Sequence, residues 1–301
     1  MSVERRVLST SHGTHRGAFA PMDWVRFGSL ALIWGSSFVL IAEGLDAFEP
    51  GLVTWARIVA GTAVLALLPG ARTPVAREDR ARFVVVSLLW VAIPFTLFPL
   101  AQQHVASAVA GMLNGTTPIV TAAVASLLLR RLPGRLQVAG LALGFLGVAL
   151  IAIPAGVAGT SEAIGVVMLI SAASCYGVAI NLVVPLQQRY GPLPVMARVL
   201  GLAAVFTTPF GLAGLQGSSF AWSSLLAVLA LGAVGTGLAF VLMGNLAGRV
   251  GGTRASFVTY LVPVVALLLG VAIRGDVVAA ISIVGIGCVL SGAVLASRRE
   301  V

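Results

Sequence analysis

The chain has 301 residues, of which 58% are hydrophobic and only 10% charged, with a mean hydropathy of +1.03. Soluble domains carry about 25% charged residues, so the composition leaves no room for a soluble domain and indicates an integral membrane protein. The net charge is +9 and every basic residue is an arginine. The arginines gather at the ends of apolar runs, so they read as membrane orientation rather than as a nucleic-acid surface.

Residues 1–23 contain arginines, His12 and His15 but no apolar core. They predict a disordered tail, not a cleaved signal peptide. Ten apolar runs follow, at 24–42, 51–69, 83–101, 106–129, 136–153, 163–185, 194–215, 222–244, 254–272 and 277–296. They are long and mostly continuous, which argues for spanning helices rather than barrel strands of alternating character. The joints are short and often closed by Pro or Gly, as at Glu49-Pro50-Gly51, Pro133-Gly134 and Gly191-Pro192. Cys175 and Cys288 both fall inside apolar runs and imply neither a disulfide framework nor a metal site.

The fourth run is interrupted by Asn114-Gly115-Thr116-Thr117-Pro118. A proline there removes a backbone donor and leaves a carbonyl near residue 114 without its usual partner. In a bilayer such a group needs protein or cavity water. The ninth run carries its own proline, Pro263, 145 positions after Pro118.

Charge then orients the runs. With ten spans, both termini share one side. All the arginines except Arg57 and Arg274 fall on that side, whereas Glu43, Asp46, Glu49, Glu162 and Asp276 fall on the other. The positive-inside rule makes both termini cytoplasmic, in the cell membrane.

The same 145-residue offset relates Gly140 and Gly147 to Gly285 and Gly292, Ala110 to Ala255, and Phe95 to Phe240. At a slightly shorter offset, Trp34-Gly35 matches Tyr176-Gly177, and Trp55-Ala56-Arg57 matches Met196-Ala197-Arg198. The expected fold is therefore all-α: ten transmembrane helices in two five-span halves, 24–153 and 163–297. Five is odd, so the second half enters from the opposite face. Such inverted repeats place a substrate site near the midplane between the halves in many transporters.

These features resemble the drug/metabolite transporter superfamily, specifically its ten-span EamA-type members. Trp34-Gly35-Ser36-Ser37-Phe38, the Arg57 segment, Pro118 and Pro263, and the Gly140/Gly147 and Gly285/Gly292 pairs carry the resemblance over about residues 24–297. It implies a transporter whose central cavity is lined mainly by spans 1–4 and 6–9, with spans 5 and 10 peripheral. The usual cargo would be an amino acid or related organic compound moving outward. One departure stands out. Shortly beyond each proline such proteins usually carry Gly-Glu; here the second half has Gly275-Asp276 and the first has Arg130-Arg131.

Arg57 is the sharpest candidate for chemistry, because an ionised side chain within a span is costly unless paired or hydrated. It reads either as a cation that binds a substrate carboxylate or phosphate, or as a structural arginine paired with Glu43, Asp46 or Glu49. Asn114, Thr116 and Thr117 read either as cavity lining or as satisfaction for the loosened backbone. Thr259 and Tyr260 are their counterparts before Pro263. Tyr176, Asn181, Trp34, Ser36 and Ser37 complete a polar and aromatic lining, with helix packing as the alternative for each. Pro118 and Pro263 are hinge candidates. Gly140, Gly147, Gly285 and Gly292 are packing candidates, and the small-residue pairs Gly140/Gly144 and Gly287/Ser291 on spans 5 and 10 offer a homodimer seam as an alternative reading.

No Asp or Glu lies deep in any span, so a carboxylate proton relay has no candidate. No nucleotide-binding, zinc-protease or nucleophile-elbow motif is present. The leading expectation is a secondary transporter of a small polar metabolite, without cofactor, metal or nucleic acid and without enzymatic activity. A non-transporting receptor or scaffold, or an intramembrane enzyme, is the alternative.

Overall fold

The computed structural model describes residues 8–105, 107–152, 160–269 and 279–298. Arg274 and the Gly275-Asp276 pair lie outside the described residues. Those described fold as ten successive helical rods, with no strand among them. In chain order these are α1 (Pro21–Leu45), α2 (Pro50–Ala66), α3 (Arg77–Gln102), α4 (Ser107–Asn114 and Thr117–Leu129), α5 (Arg135–Ala152), α6 (Thr160–Tyr190), α7 (Pro192–Gly214), α8 (Trp222–Val250), α9 (Gly252–Ser256 and Val258–Leu269) and α10 (Ala280–Ser297).

Six of them, α1, α3, α6, α7, α8 and α10, are long and apolar enough to cross a membrane, and α2, the second half of α4, and α5 are shorter apolar helices. Large apolar side chains stay exposed on the outer faces: Leu32 on α1, Val205 on α7, Leu226 on α8 and Ile283 on α10. That is the pattern of helices solvated by lipid on one side and packed on the other. Several rods run past their apolar cores. α6 continues through Pro185 to Tyr190 and α8 to Val250, because polar ends can form helix once they dock on neighbours.

The two proline-bearing rods break differently. In α4 the chain turns at Gly115-Thr116, so Pro118 sits in the first turn of the second half, where its missing N–H costs nothing. In α9 the interruption is at Phe257, and Pro263 lies inside the helix that follows. α3 and α8 each contain a π-helical turn, at Leu88–Ala92 and Ala233–Leu238. Their starts, Leu88 and Ala233, stand 145 positions apart.

Packing partners also exchange in a regular way. α5 lies along α10 and α2 along α7; α1 packs on α9 as α6 packs on α4; α8 packs on α1 as α3 packs on α6. The α5–α10 seam is built on glycine. A Cβ on Gly147 would come 2.5 Å from Gly285 O, and one on Gly285 would come 2.7 Å from Gly147 O. Gly140 and Gly292 face each other in the same manner, at 2.9 and 2.8 Å from the opposing carbonyl oxygens. The backbones therefore touch, as small residues allow. Of the glycines that offered a homodimer seam, Gly140 meets α10 and Gly144 abuts Tyr260, whereas Gly287 has open space beside it.

Residues 8–20 depart from the expectation of a disordered tail. They are irregular but docked across the ends of α6, α8 and α9. Thr14 N donates to Gly248 O and His15 N to Arg249 O at 3.3 and 2.7 Å. Arg254 Nη2 donates to Gly17 O at 2.8 Å. Phe19 tucks against Trp24 and Phe27. Next to this strap, the buried Asp23 accepts from Ala20 N, Arg26 Nη1 and Arg249 Nε. A strap held mainly by backbone groups leaves almost no signature in side-chain hydropathy.

Candidate functional site

Seven rods converge on a central cavity of about 60 Å³, measured to the centres of water-sized spheres. By that measure one water needs about 10–15 Å³, so the space holds a handful of waters or a small organic group. α1 contributes Trp34, Ser37, Phe38 and Ile41; α2, Arg57; α3, Trp90, Phe95 and Phe98. α4 adds Asn114 and Thr117, α6 Tyr176 and Ile180, α8 Phe240, and α9 Thr259. Among the described residues α5, α7 and α10 contribute nothing to the lining, so α7 departs from the expected set of lining spans.

Arg57 is 4% exposed. Its Nε and Nη2 both donate to Thr236 Oγ1, at 3.2 Å each, and its guanidinium carbon lies 3.8 Å from the centre of the Phe95 ring. Among the described residues no carboxylate lies within 4 Å of it, and Nη1 meets no acceptor. Glu43, Asp46 and Glu49 are therefore not its partners. Thr236 belongs to the π turn of α8 and donates its own hydroxyl to Leu231 O at 3.0 Å. π turns inside α-helices recur at functional sites because they redirect one residue out of the regular ladder.

The remaining polar groups are mostly tied to the backbone. Ser37 donates to Ile33 O at 2.8 Å and Thr259 to Ser256 O at 2.9 Å. Thr117 Oγ1 donates to Asn114 Oδ1 at 3.3 Å, bridging the break in α4. Trp34 Nε1 donates to Gly235 O at 3.2 Å. The Tyr176 hydroxyl meets no partner among the described residues, and its ring stacks on Phe98 at 5.9 Å. Phe240 is the hub of the aromatic wall, with Trp34, Trp90 and Phe95 at 5.9, 5.1 and 5.6 Å.

Of the residues singled out in the sequence, the cavity gathers Trp34, Ser37, Arg57, Asn114, Thr117, Tyr176 and Thr259. Asn181 and Tyr260 lie elsewhere. Asn181 Nδ2 donates to Thr121 O and Gly177 O at 2.8 and 2.9 Å, pinning α6 to α4. Tyr260 points the other way, against Gly144, and donates to Leu141 O at 3.1 Å. Thr116 caps the break locally through Leu113 O. Arg198, the repeat counterpart of Arg57, reaches Ala71 O, Pro194 O and Thr73 O, well away from the cavity. Sequence reasoning missed Thr236 and the aromatic wall. Phe95 and Phe240 stood out only as a repeat match, and nothing local marks Thr236 as the partner of a residue 179 positions away.

Helical rods with lipid-facing apolar surfaces, gathered about a small chamber of mixed polar and aromatic lining, define a multi-pass membrane protein with an internal binding space. The EamA-like transporter family matches residues 27–153 and 163–298. The chain belongs to that family, within the drug/metabolite transporter superfamily, and is a membrane transporter. It is 27% identical to a protein of Streptantibioticus cattleyicolor named "Probable terminal-alkyne amino-acid exporter", over 88% of this chain and 90% of that one. It is 27% identical to the uncharacterized inner membrane transporter YedA of Escherichia coli K12, over 89% and 88%. It is 26% identical to the uncharacterized transporter YdfC of Bacillus subtilis, over 87% and 86%. A crystal structure of another protein, 19% identical, superposes with a TM-score of 0.71 over 92% of this chain and 97% of that one. That last likeness speaks for the fold alone.

Proposed function

We propose that the protein is a secondary transporter that carries a small polar metabolite, an amino acid or a related organic compound, outward by alternating access. The observation that carries this reading is the cavity itself: its lining comes from both halves of the chain, α1–α4 on one side and α6, α8 and α9 on the other. Halves 24–153 and 163–297, related as an inverted five-plus-five repeat, would rock about that space. The exchange of packing partners and the π turns 145 positions apart favour such a relation. The name of the Streptantibioticus relative favours an amino-acid-like cargo and export. Ten spans with both termini in the cytoplasm, in the cell membrane, follow from the arginine partition.

Counterflow in proteoliposomes tests the reading. Vesicles loaded with the correct metabolite should accumulate labelled metabolite above unloaded ones. Saturable binding without counterflow would instead make the protein a receptor. Tags on both termini should stay inaccessible from outside intact cells, and external labelling of either would break the ten-span topology.

A further inference from the structure

Resting on the transporter reading, we infer that the cavity selects a small organic carboxylate with a planar apolar body over the cation of that body. Two donors face the space with no partner among the described residues: Nη1 of Arg57 and the hydroxyl of Tyr176. A carboxylate accepts from both, and a guanidinium–carboxylate contact is among the stronger hydrogen-bonded pairs. Arg57 is buried with no counter-ion among the described residues, a costly state that an entering anion relieves.

Among the described lining residues no negative charge offers the reciprocal service to an ammonium group: the fourteen include one cation and no carboxylate. The Ser37, Thr117 and Thr259 hydroxyls give their protons to Ile33 O, Asn114 Oδ1 and Ser256 O, so they keep only neutral lone pairs, which hold an ammonium less strongly than a carboxylate would. A lone ammonium in this space would sit close to the like charge of Arg57 and be poorly screened from it. Aromatic faces attract cations, and the Phe95 face already holds the one cation of the described lining, Arg57. The stacked Phe98–Tyr176 pair and the Trp34–Phe240–Trp90 cluster supply flat apolar walls instead.

The test uses two probes of closely similar size, benzoate and benzylamine, at neutral pH. Binding to the full-length protein in nanodiscs is read by calorimetry and by tryptophan fluorescence. Benzoate should bind saturably and at least tenfold more tightly than benzylamine. Arg57→Gln should weaken benzoate at least tenfold, with Arg57→Lys intermediate. Equal or tighter binding of benzylamine overturns the inference, as does an Arg57→Gln protein, monodisperse on gel filtration, that binds benzoate unchanged. Absence of binding by both overturns it too. If Arg57→Gln does not fold, the wild-type pair decides alone. The two readings fail separately: benzoate binding without counterflow of any metabolite refutes transport and leaves the charge selectivity standing, whereas counterflow without benzoate binding does the reverse.

Discussion

Thr236 Oγ1 takes both hydrogen bonds that Arg57 makes among the described residues, each at 3.2 Å, across the contact between α2 and the π turn of α8. One hydroxyl thus fixes the orientation of the cavity's cation. Thr236→Val keeps the shape and removes the acceptor. Leaving a buried charged donor unpaired costs about 1–3 kcal/mol, so transport at low substrate should fall roughly ten- to a hundredfold. Thr236→Ser should restore it. Initial rates in proteoliposomes, with apparent KM separated from maximal rate, check this. A loss confined to maximal rate would argue against a role in holding Arg57 toward substrate.

Arg130 ends α4 with φ 52° and ψ 40°, in the left-handed region. A side chain in that conformation costs about 1–2 kcal/mol, partly offset by glycine's greater freedom in the unfolded chain. Arg130→Gly should therefore raise the Tm in detergent by a few degrees, by roughly 0.5–1 kcal/mol of stability. Arg130→Val should lower it. Scanning fluorimetry of the two variants beside wild type gives the answer.

The α5–α10 seam predicts a sharp contrast between neighbouring glycines. Gly147→Leu would drive a side chain into the Gly285 carbonyl, whereas Gly287 has nothing within 4 Å of its added Cβ. Overpacking of this kind costs about 1–3 kcal/mol or more. The first variant should lose monodispersity on gel filtration and the Gly287→Ala variant should not. Equal behaviour of the two would contradict the backbone contact.

Gly13 locks the N-terminal strap, because a Cβ there would lie 2.4 Å from Gly251 N and Val250 C. Gly13→Leu should lift the strap from the ends of α8 and α9. Limited trypsin digestion at the exposed Arg16 should then proceed about tenfold faster, the ratio expected for about 1.4 kcal/mol. Unchanged cleavage would mean that the strap is held elsewhere.

The sequence by itself determined the class of protein, the helical character, the weak repeat and the family. Those follow from hydropathy, arginine placement and offset matches, which are summed over long stretches and survive local irregularity. It also indicated most of the polar lining, because a guanidinium, an amide and hydroxyls inside apolar runs have few other uses. Only the tertiary structure decided which face each residue presents. Asn181 and Tyr260 look like Tyr176 and Thr259 in a hydropathy profile. A turn of the helix sends Asn181 to carbonyls of α4 and α6, and Tyr260 to Leu141. The aromatic wall, the Thr236 anchor and the docked strap depend on contacts between positions more than a hundred residues apart. Such contacts leave no periodic trace along the chain, and helix rotation and packing alone fix them.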